Sequence, residues 1–303
     1  MNIFEQPSVP SARRRTVLTA ALGVSAVTAT GTASAAVAAP APAPAVRADV
    51  EYPSNTALYR DPSVVEGTDY GRRHRRHAHA DGSFAPVAGP SFGRTVILAL
   101  HGGGIEMGTS ELCLGIAGYD PADPAKVLLD GALYDHWLFE GLRGSDNKAL
   151  HVTSRNCDDQ VARSLAAGAQ STLSLHGCTA AQVGLTGTGA DPAAVVVGGR
   201  DALARAEVLR ELRAAGFQAI DAFDPVWFER LRQLNGDHVD NICNGTLLGG
   251  GVQLEITTEL RRSLFDDFGS RGGRARSWNA RFRAFRDACR NGIARAEAAR
   301  PIL

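Results

Sequence analysis

Short apolar runs alternate with longer amphipathic stretches along most of the chain. The clearest runs, Thr95–Leu100 and Ala194–Val197, are almost continuously apolar, which is typical of strands that are buried on both faces. Along the whole chain the sequence predicts five strands: Thr95–Leu100, Leu150–Thr153, Thr172–Leu175, Ala194–Val197 and Val252–Thr257.

The stretches between these runs have helical periodicity. Strands that alternate with helices indicate an α/β fold with a mixed, mostly parallel central sheet flanked by helices. The last helix carries an apolar stripe, which we interpret as core packing rather than a ligand surface. The stripe is formed by Trp278, Phe282, Phe285 and Cys289. The predicted helices are Ser110–Ala117, Val161–Gly168, Asp201–Ala215, Glu259–Phe268 and Arg276–Arg295.

The first 38 residues have the features of an export signal. Arg14 and Arg15 precede the apolar run Thr16–Ala29, and small residues follow it, as in a twin-arginine signal. A membrane anchor is the alternative, but a spanning helix needs about 20 apolar residues, and Thr, Ser and Gly interrupt this run. We therefore predict a secreted protein without stable membrane association after signal removal. Residues 39–58 would form an Ala/Pro-rich linker and N-terminal arm, and residues 59–303 a single catalytic domain.

The charge and cysteine content bear on the kind of binding partner and on the number of disulfides that the chain could form. The chain has 32 basic and 32 acidic residues, so its net charge indicates no nucleic-acid partner. Five cysteines allow at most two disulfides in an oxidising compartment. Their spacing does not decide the pairing, but we expect Cys157 to pair with Cys178, since both follow strands that we predict to end at the same edge of the sheet. We expect Cys113, in an apolar helical run, to be a free buried thiol.

Polar or glycine-rich residues follow four of the predicted strands. His101 ends the first strand, Thr153–Arg155 the second, His176 the third and Gly198–Gly199 the fourth. In open α/β sheets the ligand crevice lies outside the carboxyl ends of the strands. We therefore expect these four segments to meet at one rim of the sheet.

A glycine-rich segment joins a candidate metal ligand to a second one. Three glycines follow His101, and Glu106 comes five residues after it, so the loop can fold back and aim both side chains at one point. His176 is the third candidate. Two histidines and one glutamate that leave a fourth position open are typical of catalytic Zn2+, which can activate a bound water near neutral pH.

Each of these residues also has a simpler explanation. His101 fits a buried histidine in a glycine-rich turn, and Glu106 fits an acid at the start of the helix that follows. A phosphate-binding loop is a third alternative, but Gly102–Gly104 lacks the lysine and serine of a P-loop and the glycine spacing of a dinucleotide site. The pattern alone leaves the zinc site and these alternatives open.

Glu255 is a candidate general acid/base. It lies in Val252–Thr257, where strand alternation puts Gln253 and Glu255 on one face and apolar residues on the other. A carboxylate that reaches a zinc pocket from a strand can take a proton from water and pass it to a leaving amine. An ordinary solvent-facing strand acid is the alternative.

Several strings of the sequence together resemble the phage-associated poly-γ-glutamate hydrolase family. The resemblance extends from about Tyr59 to Phe265, and its most specific elements are HGGGIE, SLHG and GVQLE. The matching strings are LALHGGGIEMGTSEL (Leu98–Leu112), FEGL (Phe139–Leu142), LHVTSRNCDD (Leu150–Asp159), SLHG (Ser174–Gly177), VVGGRD (Val196–Asp201), DNICN (Asp240–Asn244) and GGGVQLEI (Gly249–Ile256).

The resemblance implies a zinc-carboxypeptidase-like fold that cleaves γ-glutamyl amide bonds. It assigns His101, Glu106 and His176 as zinc ligands and Glu255 as the general acid/base. The implied partner is a polyanionic γ-glutamyl polymer or peptide. Two alternatives remain open: a zinc amidase or peptidase acting on peptidoglycan stem peptides or other γ-glutamyl peptides, and a non-catalytic binding protein on the same scaffold.

A polyanionic substrate calls for cationic contacts in the groove. Arg155, Arg200 and Arg261 lie beside the matching strings and are candidates, since a guanidinium can bind a carboxylate through two hydrogen bonds. The basic run Arg72–His77 either steers a polyanion or is simply solvated. The chain also departs from the family: Gly245 stands where an arginine often follows DNICN, Cys157 replaces an aromatic residue, and Val183–Ala190 is an insertion.

Overall fold

The computed structural model describes residues 52–77, 92–129 and 131–300, which belong to one compact unit. The strands of this part of the chain are β1 (Tyr70–Arg75), β2 (Phe92–Gly103), β3 (Leu133–Gly141), β4 (Ser171–Cys178), β5 (Ala194–Gly198), β6 (Gln218–Asp221) and β7 (Val252–Thr257). The helices are α1 (Asn55–Tyr59), α2 (Thr109–Ala117), α3 (Gln160–Ala167), α4 (Ala180–Val183), α5 (Ala202–Ala214), α6 (Phe228–Leu231), α7 (Thr258–Ser263), α8 (Arg271–Arg276) and α9 (Ala280–Ala298).

One seven-stranded sheet, in the order β1-β3-β2-β4-β7-β5-β6, organises the fold. The central strands β3, β2, β4 and β7 run parallel, whereas β1 is antiparallel to β3 and β5 is antiparallel to β7. β6 pairs with β5 in parallel. The predicted α/β class, with its mixed and mostly parallel sheet between helices, is confirmed.

Both faces of the sheet are buried, which explains the almost continuous apolar runs. Along β2, Ile97 and Ala99 belong to the core covered by α2, α5 and α9, while Val96 and Leu98 belong to the core on the other face. The apolar stripe of α9 lies in the first core, where Phe282 and Phe285 are fully buried. The interpretation of that stripe as core packing is confirmed.

The predicted strand Leu150–Thr153 is wrong, and three strands were not predicted. Asn147–Leu150 is a 3₁₀ turn that leads into an extended segment. β3 escaped prediction because it carries Asp135, His136 and Glu140 among its apolar residues, and β6 because it has only four residues.

The basic run Arg72–His77 is mostly strand rather than a solvated loop. β1 forms an edge of the sheet, where alternating charged side chains discourage pairing with another chain. Arg73 donates two hydrogen bonds to the buried carboxylate of Glu140, each 2.8 Å long. Arg72 pairs with Glu66 and Asp159. These arginines are therefore committed to partners within the fold.

The cysteines do not form the predicted disulfide. All five are buried free thiols. Cys157 belongs to the core on the α3 face, whereas Cys178 packs in a separate cluster beside β5 and β6. The sheet edge that the two were expected to share does not exist, because the segment before Cys157 is not a strand. Cys113 is a free buried thiol, as predicted.

The predicted export signal and the first part of the linker lie outside the described residues. The end of the predicted N-terminal arm is part of the folded core, since Leu58 of α1 is fully buried. None of the helices in residues 52–77, 92–129 and 131–300 is long and apolar enough to span a membrane.

Gly292 tests how closely α9 packs against α5. A Cβ at this position would lie 2.6 Å from the Cα of Val208. We expect Gly292→Ala to lower the free energy of unfolding by about 1–3 kcal/mol, because overpacking outweighs the higher helix propensity of alanine. Urea unfolding measures the change. Asn291→Ala, at the exposed neighbouring position, is the control, and equal stability of the two variants would contradict the close contact.

Candidate metal centre

Three potential metal ligands meet at the carboxyl ends of β2 and β4. Ligand atoms of His101, Glu106 and His176 all lie within 4.8 Å of one another. The Nδ1 atoms of the two histidines are 3.2 Å apart, and Nδ1 of His101 is 3.0 Å from Oε1 of Glu106. The structure therefore brings together all three residues that the sequence nominated.

The second ring nitrogen of each histidine has a partner that orients the ring. Nε2 of His101 donates to the carbonyl oxygen of Val152 at 2.8 Å. A carbonyl can only accept, so the proton is on Nε2. Nε2 of His176 is 2.9 Å from the hydroxyl of Ser174, which can accept its N–H. Both Nδ1 atoms then present lone pairs to one point, and such partners are typical of metal-binding histidines.

The donor set fits a divalent cation. Two imidazole lone pairs and a carboxylate that converge within about 3 Å repel each other unless a positive charge lies between them. Tetrahedral zinc ligands, at about 2.0–2.1 Å from the ion, lie roughly 3.3 Å apart. The distances between Nδ1 of His101 and its two neighbours are close to that value, so these residues can hold a zinc ion with little rearrangement.

The protonation states also suit a metal. Burial lowers the pKa of His176 to about 3, so its imidazole is neutral at pH 7. Burial alone would raise the pKa of Glu106, but the two imidazoles and the N–H of Gly177 outweigh it and hold this pKa below its usual value. Neutral imidazoles and an ionised carboxylate are the forms that bind zinc.

Glu255 lies on β7, directly opposite His176 in the pairing with β4. Burial and the nearby carboxylate of Glu106 raise the pKa of Glu255 well above its usual value. Gln253 donates a 3.0 Å hydrogen bond to Glu255 and accepts one of 2.7 Å from Asn241. A buried amide chain therefore fixes the carboxylate next to the candidate metal centre.

A cavity of about 740 Å³ opens over these groups and is here called the metal cavity. His101, Glu106, His176 and Glu255 all line it, and so does Arg155. Its outer wall comes from the α6 region and the loop that follows, through residues such as Phe228, Arg232, Asn235 and His238. The predicted substrate contact Arg155 is thus placed where a ligand can reach it.

Arg200 and Arg261 do not line the metal cavity. Arg200 follows β5, which runs antiparallel to β7, so its backbone lies beside the amino end of β7, against Gly250. The expectation that Gly198–Gly199 would join the other three segments at one rim is wrong for the same reason. The guanidinium of Arg261 is buried, and all its hydrogen bonds go to protein oxygens.

Two buried arginines hold the loop that carries Glu106. Nη1 of Arg261 donates to the carbonyl oxygen of Met107 at 2.7 Å. Nη2 of Arg274 donates to that of Gly103 at 3.1 Å, while its Nε pairs with Glu111. The two ends of the loop are thus fixed from α7 and α8.

The sequence analysis missed several residues of the site. His151 lines the metal cavity, and its ring centre is 3.9 Å from that of His101. Burial lowers its pKa to about 4. Its position in LHVTSRNCDD was the available signal, obscured by the wrong strand assignment. Asn241 and Gln253 also lie in matching strings, DNICN and GGGVQLEI, but Arg274 lies in none of them, since its role depends on burial.

Comparison with known proteins identifies the family. Residues 89–288 match the family model described as poly-gamma-glutamate hydrolase. The chain belongs to this family. UPF0714 protein YndL of Bacillus subtilis (strain 168) is 32% identical over 196 residues, which cover 63% of each chain. The SPbeta prophage-derived UPF0714 protein YoqZ of the same strain is 35% identical over 175 residues, 58% of this chain and 53% of YoqZ. The match thus spans between half and two thirds of these relatives.

Two solved structures share the fold. The structure of a bacteriophage poly-gamma-glutamate hydrolase gives a TM-score of 0.62 at 26% identity, covering 82% of this chain and 99% of that chain. A zinc-free apo form of YndL gives a TM-score of 0.56 at 28% identity, covering 78% of this chain and 94% of YndL. The family and fold that the sequence motifs predicted are confirmed.

A substitution of Arg274, which pairs with Glu111, tests how much this buried arginine stabilises the fold around the loop that carries Glu106. Arg274→Met leaves a buried carboxylate without its partner, so we expect the free energy of unfolding at pH 7 to fall by about 3–5 kcal/mol. Urea unfolding measures the loss. Arg276→Met, on the exposed side of α8, is the matched control and should change stability by at most about 0.5 kcal/mol.

The loss should also depend on pH. Burial raises the pKa of Glu111, and Arg274 opposes that rise. Without Arg274 the pKa of Glu111 in the folded protein lies still further above its value in the unfolded chain. Protonation of Glu111 therefore favours the folded state, and the variant gains stability as pH falls. The difference in free energy of unfolding between the original protein and Arg274→Met should therefore become smaller as the pH falls from 7 to 5. A deficit that is constant over this interval would contradict a buried, uncompensated charge.

Proposed function

We propose that the chain is a zinc-dependent hydrolase of γ-glutamyl amide bonds, with poly-γ-glutamate as its substrate. The convergence of His101, Glu106 and His176 at the wall of an open cavity carries this proposal. Membership of a hydrolase family supports the reaction class. The related YndL structure is a zinc-free apo form, which supports zinc as the metal.

The residues around the cavity divide the chemistry between them. A zinc ion bound by the three ligands would supply Lewis acidity, which activates water and polarises an amide carbonyl. Glu255 takes a proton from the attacking water and delivers it to the leaving amine, and its raised pKa favours holding that proton. Gln253 keeps the carboxylate directed at the cavity through its amide N–H.

The substrate proposal depends on the polarity of the cavity. Its wall is polar: it offers Arg155 and Arg232 together with amides and histidines, and it also includes Glu229 and Asp237. Arg155 is exposed and makes no hydrogen bond or ion pair within the described part of the chain, so it can bind a carboxylate of the polymer. A γ-glutamyl peptide from peptidoglycan offers the same bond and is the alternative substrate.

Metal analysis and one substitution test the chemistry. We expect purified protein to hold about one zinc per chain and His101→Ala or His176→Ala to lose it, since each removes one of three protein ligands.

Glu255→Gln should retain zinc and lose at least ~100-fold in turnover, because a general acid/base group is gone. Glu259→Gln, at an exposed position of α7, is the control. Full activity of Glu255→Gln would remove Glu255 from the mechanism.

The substrate is tested separately with zinc-loaded protein. Poly-γ-glutamate and purified muropeptides are incubated with the enzyme, and chain length and newly formed amines are followed. We expect shortening of poly-γ-glutamate, with one new amine for each cleaved bond. Cleavage of muropeptides alone would contradict the proposed substrate but keep the bond type, and cleavage of neither would favour a binding protein.

A further inference from the structure

A second cavity of about 340 Å³ adjoins the metal cavity. The two share Arg155 and Asn241, which stand on the wall between them. The second cavity, here called the side cavity, is lined by Arg163 on α3 and by Cys157 just before that helix. A chain that passes the metal cavity can therefore extend over Arg155 into the side cavity.

The charges of the side cavity are not neutralised by close partners. Arg163 is exposed on α3, and its guanidinium, like that of Arg155, makes no hydrogen bond or ion pair with any described residue. Asp240 also lines the side cavity, but it is largely exposed, and its carboxylate lies 3.8 Å from Nδ1 of His238.

The acids closest to Arg163 in the sequence are committed elsewhere. Asp159 accepts hydrogen bonds from Tyr59 and Arg72, and Asp158 accepts one from the backbone N–H of Thr56. Both carboxylates are thus held by α1 and β1 and do not compensate Arg163.

This state of the two arginines contrasts with that of most other arginines near the site; the exception is Arg232, which is exposed in the wall of the metal cavity with its guanidinium 3.6 Å from Glu229. Arg261 and Arg274 are buried and bind protein oxygens, and Arg73 is paired with Glu140. A guanidinium held by the fold has few donors left for a ligand, whereas an unpaired one at a cavity wall retains its full fork. Of the two unpaired guanidinium groups, that of Arg155 belongs to a residue that lines both cavities and that of Arg163 to a residue that lines the side cavity.

We propose that the side cavity is a carboxylate-binding subsite for a polyanionic chain, in which Arg155 and Arg163 bind successive carboxylates next to the scissile bond. The proposal rests on the proposed function, since a γ-glutamyl polymer carries one free carboxylate on every residue. The subsite makes the enzyme prefer long chains to short ones, because only a chain that reaches beyond the metal cavity contacts Arg163.

Binding to zinc-loaded full-length Glu255→Gln protein tests the subsite without turnover. Fluorescently labelled oligo-γ-glutamates of two lengths, a dimer and a decamer, are titrated, and the ratio of their dissociation constants is compared between variants. Adding Arg163→Gln should reduce the preference for the decamer by about tenfold, since one charge-assisted contact is lost. Arg163→Lys should retain part of the preference, because it keeps the charge but not the fork.

Arg283→Gln is the matched control. It removes the same charge from an exposed position of α9, outside both cavities, and should leave the length preference unchanged. Equal effects of Arg163→Gln and Arg283→Gln would show only general attraction of a polyanion and would overturn the subsite, as would an unchanged preference in Arg163→Gln. Tight, Arg163-dependent binding by a protein that cleaves no γ-glutamyl bond would contradict the hydrolase function and support the subsite.

Discussion

The repulsion between three electron-rich groups at the ends of β2 and β4 is the constraint on which the site depends. Nδ1 of His101 faces both Nδ1 of His176 and a carboxylate oxygen of Glu106 at about hydrogen-bond distance. Its proton is on the other nitrogen, held by the carbonyl of Val152. Such an arrangement is stable only around a positive charge. A bound metal would therefore stabilise the folded state as well as serve the reaction.

The rest of the fold keeps these groups in place. The parallel order β2-β4-β7 brings His101, His176 and Glu255 to one rim. Arg261 and Arg274 fix the loop that carries Glu106 by binding its carbonyl oxygens from two short helices. Hydrogen bonds to buried carbonyls from charged donors are among the stronger ones in proteins. The geometry of the candidate ligands thus rests on contacts outside that set, as is usual in metal sites.

The local sequence pattern predicted features that neighbouring residues determine, such as buried strands and candidate ligands. It failed for features that depend on pairing between distant segments, such as strand direction. Apolar residues mark β2, β4, β5 and β7, His101 and His176 stand beside glycines near the ends of β2 and β4, and Glu106 lies in the turn after β2, so these strands and candidate ligands were predictable. The direction of β5 was not, because a strand buried on both faces has the same apolar pattern whether it runs parallel or antiparallel. β3 was missed since it carries acids among its apolar residues, and the partner of one of them, Arg73 for Glu140, lies on β1, remote in sequence.

The same distinction explains why arginines were the hardest residues to assign. Arg155 and Arg261 look alike in the sequence, yet one is exposed at a cavity wall and the other is enclosed among backbone carbonyls. The chain has no net charge to attract a polyanion from a distance, and long-range attraction is screened within about 10 Å at ordinary salt. Recognition of the proposed polymeric substrate would then come from a few guanidinium groups that the fold leaves unpaired. Which arginines these are is decided by packing, so their identity emerges only with the structure.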